Sequence, residues 1–208
     1  MLRPVGPYTT KSCGRRRIAA GRVTTHHLNR DSSQPRPFVE PIAERRLLRQ
    51  SAKWKRILQG AIAGLTATAP MTAAMEAGAD KLPKRERYPL PPRIITTRIA
   101  RQVGVAVDED DDAIKIATIA AHFGYGAAMG AIYSAITPPK YTGPTTGVAF
   151  GLGVWAGSYL GALPALGILT PATEHPARRN LLMIAAHVVW GSALGATLHS
   201  LQSDNEES

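Results

Sequence analysis

Two histidines are the residues of this sequence best suited to chemistry inside an apolar protein. His122 and His187 lie 65 residues apart, each in the same short pattern, IAAHFGYGAAMGA at 119–131 and IAAHVVWGSALGA at 184–196. The two segments share the histidine, both glycines and an aromatic position in register, which indicates an internal duplication. An imidazole among apolar residues can ligate a haem or a metal, relay protons, or respond to pH in the physiological range.

The same histidines have a purely structural alternative. A neutral imidazole can donate to a backbone carbonyl of a neighbouring helix and then only fix packing. Four further residues near one membrane side are candidates for proton or ligand handling beside the histidines: Glu76, Asp80, Glu174 and His175. Because Asp80 precedes Lys84 by one helical turn, an interfacial ion pair is the alternative for that carboxylate. The sequence leaves open whether these side chains meet.

Glycine spacing predicts how the helices that carry these residues pack. Residues four apart lie along one face of a helix. Small residues at that spacing let two helix backbones approach closely within a bilayer. The predicted packing glycines are Gly60, Gly64, Gly126, Gly130, Gly147, Gly151, Gly153, Gly157, Gly161, Gly191 and Gly195.

Four apolar stretches predict the helices themselves, at about 57–79, 113–136, 145–168 and 180–201. Each reaches the roughly 20 residues that a helix needs to cross a bilayer. A soluble bundle would carry one charged face on each helix, whereas almost every face here is Ala, Gly, Ile, Leu or Val. We therefore expect an all-α polytopic membrane protein with four transmembrane helices.

The repeat predicts that these four spans are two duplicated hairpins. The second and fourth spans carry the histidine pattern, and GAIAGL at 60–65 aligns with GVAFGL at 147–152 in the first and third. A unit of two spans returns the chain to its starting side, so both copies would have the same orientation. Both histidines would then lie ~11 to 14 Å from the same membrane surface.

Charge divides the chain into a basic leader and an apolar body. Of the 25 Lys and Arg residues, 14 precede Ile57. The leader, 1–56, is rich in proline and lacks apolar periodicity, which predicts disorder. Its last part, 44–56, predicts a basic amphipathic turn or two at the membrane surface, anchored by Trp54. An acidic tail, 202–208, follows the transmembrane domain, 57–201.

The loop between the first two spans has two predicted parts. Prolines at 83, 89, 91 and 92 predict extended geometry for 81–93. The following segment, 93–104, predicts a short interfacial helix with Ile94, Ile95 and Ile99 towards the lipid.

Basic residues are nearly balanced between the two sides of the spans. We expect a cytoplasmic amino terminus because the cationic leader has no secretory signal to export it. The Arg-rich, acid-poor leader also resembles a transit peptide, so an organelle inner membrane is the alternative to the expected bacterial inner membrane. Expected partners are the lipid bilayer and a homo-oligomer or larger membrane complex. The leader shows no nucleic-acid-binding fold or interleaved aromatics, so we expect no nucleic-acid partner.

Enzyme motifs are missing from the sequence. It contains no nucleotide-binding loop, nucleophile elbow or HExxH, and its single cysteine, Cys13, cannot form an intramolecular disulfide. We expect a non-enzymatic protein without metal or cofactor, with a haem held by His122 and His187 as the alternative.

Two fragments, PLPPR at 89–93 and HVVW at 187–190, resemble parts of the YagU-like family of uncharacterised bacterial inner-membrane proteins. The resemblance implies inner-membrane residence and a role in acid tolerance, and it implies no catalytic residue. We therefore expect an accessory or stress-related membrane component. A haem- or metal-binding redox subunit that uses His122 and His187 is one alternative, and a small-solute or proton transporter acting as a homo-oligomer is another.

Overall fold

The computed structural model describes residues 42–106 and 112–204, and the regular structure in these ranges is entirely helical. The long elements are α1 (Ile42–Ala79), α2 (Pro91–Gln102), α3 (Asp112–Ile136), α4 (Pro144–Ala165) and α5 (Ala177–Ser203). Helix α4 is α-helical over Pro144–Ala156, π-helical over Gly157–Ala162 and α-helical again over Leu163–Ala165. The predicted all-α class is confirmed for this part of the chain.

Helix α1 begins at Ile42, well before the predicted start of the first span. The prediction of a disordered leader is therefore wrong for 42–56, while 1–41 lie outside the described residues, as do 205–208 of the predicted acidic tail. Residues 43–56 contain no Gly or Pro and many strong helix formers, so the helix of the span extends through them at little cost. Leu47, Leu48 and Trp54 are exposed along this extension.

Helix α2 begins at Pro91, inside the segment predicted to be extended. Pro91 and Pro92 occupy its first two positions, where the fixed φ of proline suits a helix and its missing N–H is not needed. Extended geometry is found earlier in the loop, at Pro83 and Leu90. The prediction of extended geometry is wrong at Lys84–Glu86, which form a 3-10 helix, and at the two prolines that begin α2, because proline also suits the first positions of a helix.

Helices α1 and α3 are antiparallel and touch through their backbones. Gly60 lies opposite Gly130 and Gly64 opposite Gly126, and a Cβ added at Gly64 would lie 2.9 Å from Gly130 Cα. Beyond the glycines, Arg56 donates to the Thr137 carbonyl at 2.7 Å, which satisfies a backbone acceptor at the end of α3. The first predicted hairpin is thus present as α1 and α3.

Helices α4 and α5 repeat this contact with a different register. Gly143 lies opposite Gly195 and Gly147 opposite Gly191, so Gly143 occupies the place that Gly60 has in the first hairpin. The predicted alignment of GAIAGL with GVAFGL is therefore wrong by one helical turn. Glycines at 143, 147 and 151 recur every four residues, so the two glycines of the first span find partners in the alignment at either register.

Three predicted packing glycines of α4 make no helix contact. A Cβ added at Gly153, Gly157 or Gly161 would meet nothing within 4 Å. Gly153 follows Gly151 by two residues, which is about 200° around a helix, and therefore lies on the opposite face. The packing prediction is wrong for this second series because spacing alone does not say which face is buried.

The two hairpins join through α1 and α5. Their contact forms the hydrophobic core, in which Ala63 and Ala67 of α1 meet Trp190 and Leu194 of α5. Trp190 Nε1 donates to the Gly64 carbonyl at 3.2 Å, and Gln59 Nε2 donates to the Leu201 carbonyl at 2.8 Å. These two bonds show that α1 and α5 are also antiparallel.

Helices α3 and α4 pack against each other near the turn that connects them. There the Tyr133 hydroxyl lies 2.8 Å from Thr146 Oγ1, and the Tyr133 and Phe150 rings pack with centroids 5.1 Å apart. Towards the other end of the bundle the two helices separate, and α2 lies across the gap.

Two of the described helices, α4 and α5, are long and apolar enough to cross a membrane. The most apolar stretch of α4 is only 6% buried within the protein, whereas that of α5 is 44% buried. Helix α4 is therefore not the core helix of a soluble bundle.

Candidate functional site

A cavity of about 390 Å³ occupies the gap between α3 and α4. Three of the pairwise contacts that would close a four-helix bundle are tight, namely α1 with α3, α4 with α5, and α1 with α5. The fourth pair, α3 and α4, is separated at the level of the cavity. Its lining is mostly apolar and comes from all five helices, including Met71, Met75, Ile95, Ile99, Val154 and Leu163.

Both repeated histidines line this cavity. His187 is 7% exposed, and its Nδ1 lies 2.7 Å from the Met183 carbonyl. A carbonyl oxygen can only accept, so Nδ1 carries the proton and the Nε2 of the neutral ring is an acceptor. The structural alternative predicted a bond to a carbonyl of a neighbouring helix. Met183 belongs to the same helix as His187, so this bond orients the ring and does not join two helices.

His122 is half-buried beside Phe123, with the two rings perpendicular and their centroids 6.1 Å apart. Its Nε2 is buried and has no hydrogen-bond partner within the described ranges 42–106 and 112–204. An unpaired nitrogen in an apolar interior costs free energy. His122 therefore retains unused hydrogen-bonding capacity at the cavity.

The π-helical turn of α4 supplies two further polar groups, and sequence reasoning missed both as site residues. Ser158 and Tyr159 lie in this turn and line the cavity. The Ser158 hydroxyl lies 3.0 Å from the Tyr125 hydroxyl of α3, and the Tyr159 ring stands perpendicular to that of His187 with centroids 6.1 Å apart. Turns of this kind are frequent at functional sites, but no residue pattern in the sequence announces this one.

Helix α2 covers the end of the cavity. Pro92, Ile95 and Ile99 contribute to the lining, and Arg98 Nη1 donates to the Ile168 carbonyl at 2.7 Å, which ties α2 to the end of α4. Part of the apolar side predicted for 93–104 to face the lipid therefore lines the cavity.

Arg179, at the start of α5, fixes the loop that precedes α2. Its guanidinium donates to the carbonyls of Glu86, Tyr88 and Pro89 at 2.8, 3.0 and 3.1 Å. It also lies over the Tyr88 ring, 3.5 Å from the centroid. Arg179 is 5% exposed, whereas Arg178 is exposed, and nothing in the sequence distinguishes the two neighbours.

The sequence left open whether the six candidate proton- or ligand-handling residues meet. In the structure His122 and His187 line the same cavity, while Glu76, Asp80 and Glu174 are exposed. His175 Nε2 lies 3.2 Å from both the carbonyl and the hydroxyl oxygen of Thr170. The described residues contain no group of three or more His, Cys, Asp or Glu that could hold a metal ion, and no ion pair joins Asp80 to Lys84 in them.

No protein-family model, curated protein or solved structure matches this chain.

Proposed function

We propose that this chain is an integral membrane protein whose four long helices cross the bilayer and whose cavity binds a small, mainly apolar molecule. The observation that carries the proposal is the cavity lined by both repeated histidines. Its volume of about 390 Å³ lies within the ~300 to 1,000 Å³ of small-molecule sites. Apolar walls with a few convergent polar groups are the usual chemistry of such sites.

The outer surface of the bundle supports the four-span part of the proposal. Leu58 and Ile62 of α1 and Ile116 and Ile119 of α3 are exposed. Asp, Glu, Lys and Arg are absent from 57–75, 116–139, 141–173 and 180–203. In water this would be a continuous apolar surface of the kind that marks contact with a membrane or a partner.

The ligand proposal is tested by native mass spectrometry of the protein extracted from its own membranes in mild detergent. We expect a stoichiometric added mass on the wild-type chain. Ala121→Phe places a ring in the cavity and should remove that mass. Ala120→Phe is the matched control, since Ala120 is exposed like Ala121 but lies outside the lining, and it should keep the mass. A bare wild-type protein, or equal occupancy in the two variants, would contradict the proposal.

One observation supports a second candidate, a bound haem or metal. Histidines that ligate metals commonly donate their other ring N–H to a carbonyl, and His187 does so to Met183 while it shares the cavity with His122. The same preparation would then show a Soret band that either His→Leu substitution removes. A colourless, metal-free preparation would contradict the haem or metal candidate and would leave the proposed binding of a small apolar molecule unaffected.

A further inference from the structure

We infer that the molecule bound in this cavity carries a hydroxyl group, on an otherwise apolar body, at the end that meets the two histidines. This inference rests on the proposed binding function and specifies its ligand class.

The hydrogen-bonding roles of the lining decide between polar groups. Since Nδ1 of His187 donates to the Met183 carbonyl, Nε2 of the neutral ring can only accept. A ligand group that pairs with it must donate a proton. Ethers, ketones and ionised carboxylates cannot donate, and a cationic ammonium is costly in an apolar cavity. A hydroxyl group can donate without charge.

Among the described residues, four of the five other hydroxyls of the lining have a hydrogen-bond partner, and that of Tyr159 does not. Thr68 Oγ1 donates to the Gly64 carbonyl at 2.8 Å, and Thr96 Oγ1 donates to the Pro92 carbonyl at 2.9 Å. Tyr125 and Ser158 pair with each other. The two histidines and the Tyr159 hydroxyl therefore offer the unused capacity. A ligand hydroxyl can donate its proton to Nε2 of His187, and its oxygen can accept from the buried Nε2 of His122 when that nitrogen carries the proton.

The test compares two isomeric probes that differ in the hydroxyl alone, n-decanol and methyl nonyl ether. Each competes with radiolabelled n-decanol for the full-length protein in lipid nanodiscs, with partition into protein-free nanodiscs subtracted. We expect n-decanol to compete about tenfold better, the factor that corresponds to about 1.4 kcal/mol of binding free energy. Equal competition by the ether would overturn the inference and leave an apolar binding cavity. If n-decanol does not bind saturably, the proposed binding function itself fails.

Two variants test whether His187 causes the preference for n-decanol over the ether. His187→Phe should make the two probes equal, because the ring loses its acceptor. His199→Phe is the matched control, since this exposed histidine lies on the same helix outside the cavity, and it should keep the tenfold preference. A preference that survives in His187→Phe, or is lost equally in both variants, would remove the assignment to His187. The comparison on the wild-type chain stands even if a variant fails to fold.

Discussion

At the scale of single residues, replacing glycine by alanine should change stability in opposite directions at a glycine in helix contact and at an open glycine. Gly64→Ala should lower the free energy of unfolding by about 1 to 3 kcal/mol, because the added Cβ overlaps the α3 backbone at Gly130. Gly153→Ala should raise it by up to about 1 kcal/mol, since Ala is the better helix former and this position is open. Denaturant titration in detergent measures both, and equal changes would contradict the assigned contact.

Arg179 makes a second prediction at this scale. Arg179→Lys keeps the charge but loses the planar fork that reaches three carbonyls and stacks on Tyr88. We expect trypsin to cut the loop at Lys84, Arg85 or Arg87 at least severalfold faster in this variant. Arg178→Lys, the exposed neighbour, serves as control, and unchanged cleavage in Arg179→Lys would show that the loop does not depend on these bonds.

The sequence could predict the partners of some residues and not of others. The glycine pair of α1 and that of α3 each mark one face of small residues on their helix, so the contact between these faces follows from spacing alone. In α4, glycines populate two opposite faces, and only the position of α5 decides which is buried. The role of Arg179 depends on where a loop about 90 residues earlier arrives, and local pattern carries no information about that.

At the scale of elements, α3 and α4 are joined at the level of the cavity by one described side-chain hydrogen bond, between Tyr125 and Ser158. Tyr125→Phe removes it while it keeps the ring. We expect n-decanol to dissociate about threefold to tenfold faster from this variant, because the net value of one hydrogen bond is about 0.5 to 1.5 kcal/mol, while the preference over the ether persists.

Tyr141→Phe is the control for this substitution, since Tyr141 is exposed and lies outside the cavity. Stopped-flow displacement measures both variants. Dissociation that is equally fast in wild-type and Tyr125→Phe protein would show that the ligand does not pass between α3 and α4.

Element prediction succeeded where one periodicity dominated. The apolar stretches gave α1, α3, α4 and α5 because long runs of small and branched apolar residues between polar loops permit little else. The start of α1 and the start of α2 were misplaced, since a helix can extend into a basic segment and prolines can begin one. The cavity lies where α3 and α4 are separated. Sequence patterns such as glycine spacing predict where helices touch, so they did not predict this gap.

At the scale of the whole molecule, the four proposed crossings predict which positions face each side of the membrane. In a Cys13→Ser background, single cysteines at Ala52, Lys140 and Ser200 should react with an impermeant maleimide from one side of the membrane. Those at Lys84 and Thr173 should react from the other side. Labelling of Ala52 and Lys84 from the same side would mean that α1 does not cross.

The unequal contacts of the bundle have a mechanical consequence. Backbone contact through glycines holds each hairpin together, and the most extensive junction between the two hairpins is the edge formed by α1 and α5. The cavity is the space between the opposite edges, so its width follows the angle of this hinge. With the four helices in a bilayer as proposed, lateral pressure would close the hinge and a bound molecule would hold it open. Ligand affinity and membrane composition would then be reciprocally linked, and the lipid would act as an effector without entering the site.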